Sequence, residues 1–184
     1  MYLGERSGAI IFAVLITCMS SCILTIQLPA VTADYFNQLR RQYYPAHANQ
    51  VAAHMSLFYR LPADEPQVGA ALAAMEAHAP FTMQVNGVQR YTNGVAYTLL
   101  SEPLQLLHQS LQQRWMPLLT WRDQQPLRPH ITIMNQVTAW KAQQLHEKLL
   151  AEFQPFEITA TGLQLWRYLK GPWKLLETYS FAGK

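Results

Sequence analysis

One pattern occurs twice along this chain and narrows its possible folds more than any other feature. Val51 to Leu61 (VAAHMSLFYRL) alternates as a strand does and stops at Pro62. An alanine-rich helical stretch follows, from Pro66 to His78, and Pro80 ends it. Arg128 to Val137 (RPHITIMNQV) alternates in the same way and leads into an amphipathic helix from Thr138 to Phe153, with Thr138 available as its cap. Each alternating segment contains the triplet His-x-Ser/Thr, as His54-Met55-Ser56 and His130-Ile131-Thr132. A strand carrying that triplet and followed by a helix, once in each half, predicts an internally duplicated α+β domain.

The remaining segments fit that frame. Ile23 to Leu28 reads as a strand, with a helix start at Pro29 and helical spacing of Tyr35, Phe36, Leu39 and Tyr43 within Val31 to Tyr43. Phe81 to Tyr91 and Gly94 to Leu100 flank a Thr92-Asn93-Gly94 turn signal and predict a hairpin. Pro103 to Trp115 places Leu104, Leu107, Leu111 and Trp115 on one helix face. Phe156 to Leu169 and Trp173 to Phe181 close the chain as strands around Gly171-Pro172. Short hairpins and the failure of strict βαβ alternation predict mainly antiparallel sheets.

His-x-Ser/Thr is a weak signal alone. With six histidines, and Ser plus Thr at about a tenth of residues, chance gives roughly one such triplet. Three occur, the third being His108-Gln109-Ser110. In a strand, residues i and i+2 project from one face, so His54 with Ser56, and His130 with Thr132, can converge on one ligand. In a helix they stand about 200° apart, which makes the His108 triplet incidental. Met55, Leu57 and Tyr59, and on the other segment Ile131 and Ile133, then form the core-facing rows. Arg60 and Arg128 stand at even spacing from the histidines of their own segments and are candidates for the same face. Phe58, Trp166, Tyr168 and Trp173 are candidates for stacking on a base.

Two imidazoles and two hydroxyls suit displacement at phosphorus. One imidazole takes a proton from the attacking oxygen, the other gives one to the leaving oxygen, and the hydroxyls donate to the non-bridging oxygens. Such chemistry calls for no metal or cofactor. A metal site built from His47, His54 and His130 is the competing reading, set aside because no nearby Cys or patterned carboxylate completes it. Two cysteines, Cys18 and Cys22, exclude a disulfide framework. The net charge of +3 with scattered Lys and Arg lacks the field that tight duplex binding requires. No charged residue lies between Arg6 and Asp34. We expect residues 1–21 to be an extension and 22–182 to be the folded domain of a cytoplasmic protein. The alternatives are export or membrane anchoring through residues 1–18, with any membrane contact made by the apolar run 8–18.

HMSLFYRLP (54–62) and RPHITIMNQV (128–137), with GLQLWRYLKGPW (162–173), resemble the two-histidine phosphoesterase superfamily in its 2'-5' RNA ligase branch. The resemblance runs from about Cys22 to Phe181, and Ser56 stands where many relatives carry Thr, which keeps the hydroxyl. It implies a bilobal, pseudo-twofold fold in which two sheets form a central groove with the helices outside. It also implies a metal-independent enzyme opening a 2',3'-cyclic phosphate on an RNA end or nucleotide to a 2'-phosphate, with ligation as the reverse reaction and no ATP; we expect a monomer. The resemblance implies His54 as acid to the 3' oxygen and His130 as base. Ser56 and Thr132 then hold the phosphate, with Arg60 and Arg128 near it. A non-catalytic protein that binds RNA ends is the alternative.

Overall fold

The computed structural model describes residues 21–62 and 65–183. The run 8–18 lies outside the described residues, and no described helix is long and apolar enough to cross a membrane. The chain order is β1 (Ser21–Gln27), α1 (Ala30–Tyr43), β2 (Ser56–Pro62), α2 (Pro66–Ala74), β3 (Phe81–Tyr91), β4 (Gly94–Leu100), α3 (Glu102–Trp115), β5 (His130–Met134), α4 (Ala139–Glu152), β6 (Phe156–Ala160), β7 (Gly162–Tyr168) and β8 (Trp173–Ser180). Single 3-10 turns follow α2 and α3. The predicted unit of strand, helix, strand, helix occurs twice, as β1-α1-β2-α2 and as β4-α3-β5-α4.

Two four-stranded sheets result, with orders β2-β1-β7-β8 and β5-β4-β3-β6, and every neighbouring pair runs antiparallel. The duplicated α+β architecture is the one the sequence predicts. The helices interlock the halves. Phe36 of α1 packs on Tyr97 and Phe156 of the second sheet, at 5.9 and 6.3 Å between ring centroids. Trp115 of α3 packs edge-on at 5.3 Å against Phe58 of the first. The first helix of each unit thus covers the sheet of the other, and one apolar core joins the two. Caps are local: Ser101 accepts from the Leu104 N–H at the start of α3, and Thr138 from that of Lys141 at the start of α4.

Three predicted elements change. The expected strand 51–61 is ordered as a strand only from Ser56, and the expected strand 128–137 only over His130–Met134. Both histidines therefore sit where a loop becomes a strand. The expected single strand Phe156 to Leu169 is two strands in different sheets. The chain crosses at Thr161, whose N–H donates to the Gln27 carbonyl and whose own carbonyl accepts from Phe181. Gly162 permits that crossing, because a Cβ there would collide with the Tyr179 carbonyl.

β2 is bulged. Cys22 pairs with Leu61, but Leu24 pairs with Phe58 and Thr25 with Ser56, so β2 contains two residues more than β1 over this stretch. A bulge leaves backbone N–H groups off the ladder. Those of Tyr59 and Arg60 donate to the carboxylate of Asp123, at 2.8 and 3.0 Å, and the Thr120 hydroxyl donates to the same group at 3.1 Å. Asp123 is buried and pins the strand that follows the first triplet.

Candidate functional site

The bulge resets the alternation on which part of the site was predicted. Phe58, expected beside Ser56 as a base-stacking ring, is fully buried and lies flat on His108, 4.7 Å between centroids with 15° between planes. It is core and cannot meet a base. Tyr59, expected in the core row, is instead partly exposed beneath the Arg122 guanidinium, 3.6 Å from the ring centroid. Arg60 lies in a separate depression with Ser21, Leu61, Pro62, Glu65 and Leu118, away from both histidines. The third triplet separates as expected for a helix: His108 is buried against Phe58 and Ser110 is exposed.

The other two triplets meet. One depression of about 410 Å³ is lined by Ser56 and His130 together with Arg128, Asp123 and Trp121. A second, of about 370 Å³, is lined by His54 and Thr132 together with Arg40, His47, Tyr168 and Trp173. Each depression thus takes its imidazole from one triplet and its hydroxyl from the other, the arrangement that two facing triplets related by a pseudo-twofold axis produce. His47 and His54 share a depression, but among the described residues no three His, Cys, Asp or Glu side chains cluster to hold a metal.

Both imidazoles are oriented in the same way. His54 Nδ1 is 2.8 Å from the Ala52 carbonyl, and His130 Nδ1 is 2.8 Å from the Arg128 carbonyl. A carbonyl only accepts, so each Nδ1 carries the hydrogen and, in the neutral ring, each Nε2 is left with its lone pair. Arg128 precedes β5, so strand parity does not place it. It lines the His130 depression, and its backbone holds the imidazole. Burial pushes the His54 pKa down to about 4, with the backbone bond to Ala52 acting against the shift and the charges of Arg40 and His130 adding to it. In the free protein at neutral pH His54 is therefore uncharged.

The Ser56 hydroxyl oxygen is buried with no hydrogen-bond partner in the protein. Trp173 leans on the His54 ring at 4.4 Å and 47°. Tyr168 stands exposed at the rim of the same depression. Trp166 lines an adjoining hollow, where its Nε1–H donates to the Thr25 hydroxyl at 2.9 Å.

Three site residues lie outside the predicted set. Arg40 on α1 is buried, donates to the Thr132 carbonyl at 2.8 Å, and lines the His54 depression. Its signal was a basic residue on the buried stripe of α1, four places after Phe36. Asp123 has no signal, because its role depends on a bulge 63 residues away. Tyr91, at the end of β3, stands 6.0 Å from His130 by ring centroids.

The family model of the 2'-5' RNA ligase superfamily matches residues 28–172. No curated protein sequence matches significantly. Among solved structures, TT0787 of Thermus thermophilus superposes with a TM-score of 0.64 at 19% identity, over 89% of this chain and 99% of that one. E. coli LigT complexed with 3'-AMP gives 0.59 at 17%, over 89% and 98%. The LigT complex with NADP+ gives 0.56 at 18%, over 90% and 99%. These likenesses share the fold, and the family model spans both triplets and the cleft between them. The chain belongs to the 2'-5' RNA ligase superfamily, the two-histidine phosphoesterases.

Proposed function

We propose that this phosphoesterase-type protein hydrolyses a 2',3'-cyclic phosphate, on an RNA end or a nucleotide, to a 2'-phosphate. His130 Nε2 takes a proton from water as the water oxygen attacks phosphorus. The bond from phosphorus to the 3' oxygen breaks, and His54 Nε2 delivers a proton to that oxygen. The Ser56 and Thr132 hydroxyls donate to the non-bridging oxygens, where charge gathers in the transition state, with Arg128 alongside. The same steps with a 5'-hydroxyl in place of water, attacking phosphorus as the bond to the 3' oxygen breaks, join two ends through a 2'-5' bond without ATP. Because His54 is uncharged in the free cleft, it acquires its proton as the substrate anion binds, the anion offsetting the burial that disfavours the imidazolium. Tyr168 and Trp173 offer faces to a base, and the solved complex of LigT with 3'-AMP supports a nucleotide as ligand.

The observation that carries this reading is the crossed pairing of imidazole and hydroxyl, His54 with Thr132 and His130 with Ser56, with both Nδ1 atoms tied to backbone. The test is turnover of 2',3'-cyclic nucleotides and cyclic-ended RNA in the presence of chelator. Wild type is expected to release the 2'-phosphate, and His54→Ala or His130→Ala to slow it by about 100-fold or more. No turnover, with binding of cyclic-ended RNA kept in both variants, identifies a non-catalytic end binder instead. Turnover that chelator abolishes contradicts the metal-independent mechanism.

A further inference from the structure

Arg40 is buried in the wall between the two triplets, and every group it bonds is uncharged. Its Nε and Nη2 donate to Asn49 Oδ1 at 3.2 and 2.9 Å, Nη2 also to the Val51 carbonyl at 2.9 Å, and Nη1 to the Thr132 carbonyl at 2.8 Å. The Tyr44 ring lies 4.3 Å from its guanidinium carbon. The Nε–Nη2 fork converges on that one amide oxygen, a place where a carboxylate oxygen would complete an ion pair. An amide stands there instead, so the hydrogen bonds are made and the charge is not neutralised. Burial lowers the pKa of Arg40, but a guanidinium remains charged at neutral pH.

Two consequences are geometric and electrostatic in turn. The bonds to Val51 and Thr132 tie the segment that leads into His54 to the strand that carries Thr132, so one side chain bridges the two. The same side chain also sets the local field. The titratable groups facing His54 are Arg40 from α1, Tyr44 and His47 from the segment after it, His130 from β5 and Tyr168 from the end of β7. Among the described residues, no carboxylate lines either hollow in which His54 sits.

We propose that Arg40 is the positioning residue of this cleft, holding the His54 segment at a fixed distance from Thr132 and keeping an uncompensated positive charge beside the imidazoles for the anion that seats between them. The idea rests on the phosphoesterase reading and extends it to a residue outside the two triplets. The same charge disfavours a proton on His54 while the cleft is empty, and an arriving anion relieves that repulsion.

Asn49→Asp separates charge from shape. The carboxylate accepts the same two bonds from Arg40 and supplies the missing counter-charge. In the free full-length protein, imidazole NMR titration is expected to show the His54 pKa raised by about one unit in Asn49→Asp. Inorganic phosphate, titrated at fixed pH and low ionic strength, is expected to bind about tenfold more weakly. Arg40→Lys keeps the charge and loses the fork, so phosphate affinity holds near wild type while kcat on a 2',3'-cyclic nucleotide falls by about tenfold. An unchanged His54 titration and phosphate affinity in Asn49→Asp would overturn the electrostatic role. Full kcat in Arg40→Lys would overturn the positioning role. Wild-type turnover of the cyclic nucleotide is measured alongside. If it is absent while Asn49→Asp still weakens phosphate binding, the anion seat stands and the hydrolase reading fails.

Discussion

Ser56→Ala gives the sharpest separation of function from stability. The Ser56 oxygen is buried with no partner in the protein. An unsatisfied buried hydroxyl costs about 1–3 kcal/mol relative to one that is bonded or solvated. Alanine removes the hydroxyl and leaves no cavity larger than a single atom. The variant is therefore expected to fold with unchanged stability or with a gain of about 1 kcal/mol, which in a chain of this size raises Tm by about 2–4 °C. Turnover of a 2',3'-cyclic nucleotide is expected to fall by about 100-fold, the cost of losing one donor to the transition-state oxygens. Ser56→Thr restores the donor and most of the activity. Thermal unfolding and steady-state kinetics on the three proteins suffice. A loss of more than about 1 kcal/mol with turnover intact would show that the hydroxyl serves the fold, and the reasoning would be wrong.

Three further outcomes are expected. His54 has a folded pKa of about 4 against 6.5 unfolded, so as pH falls through that window the unfolded chain gains a proton that the folded one refuses. Wild type therefore loses stability relative to His54→Asn between about pH 6.5 and 4, by at most about 3 kcal/mol, and nothing above pH 7. Denaturant unfolding across pH reads it, and parallel pH profiles for the two proteins would contradict it. Asp123→Ala strands the N–H groups of Tyr59 and Arg60 and is expected to cost about 2–5 kcal/mol, seen as a lower denaturant midpoint. Trp173→Ala is expected to leave thermal stability nearly unchanged and to raise KM for nucleotide substrates about tenfold, through loss of a face on which a base stacks.

The sequence made the duplication legible because period-two alternation and helical spacing both survive in it, and the triplets could be ranked by the element that contains them. What it could not carry was the bulge. Strand parity assigns faces only while pairing is one to one, and two extra residues in β2 turned Phe58 into the core and left Arg60 in another hollow. The split of Phe156–Leu169 was invisible for a related reason: a β-rich run lacking Pro reads as continuous, although Thr161 bonds to β1 and passes the chain to the other sheet. Arg128 was selected by parity yet sits outside its strand; it lines the His130 depression, and its carbonyl accepts from the His130 imidazole. Arg40 and Asp123 act through acceptors and donors remote in sequence, which no local pattern records.

The claim on which the rest depends is that His54 and His130 address one phosphate. Imidazole NMR of the full chain, with adenosine 2'-monophosphate added stepwise, tests it directly. The account predicts that the Nε2 signals of both histidines shift along a single binding curve, while His108, buried on Phe58, stays still. Movement of only one of the pair, or two curves with different midpoints, would contradict it.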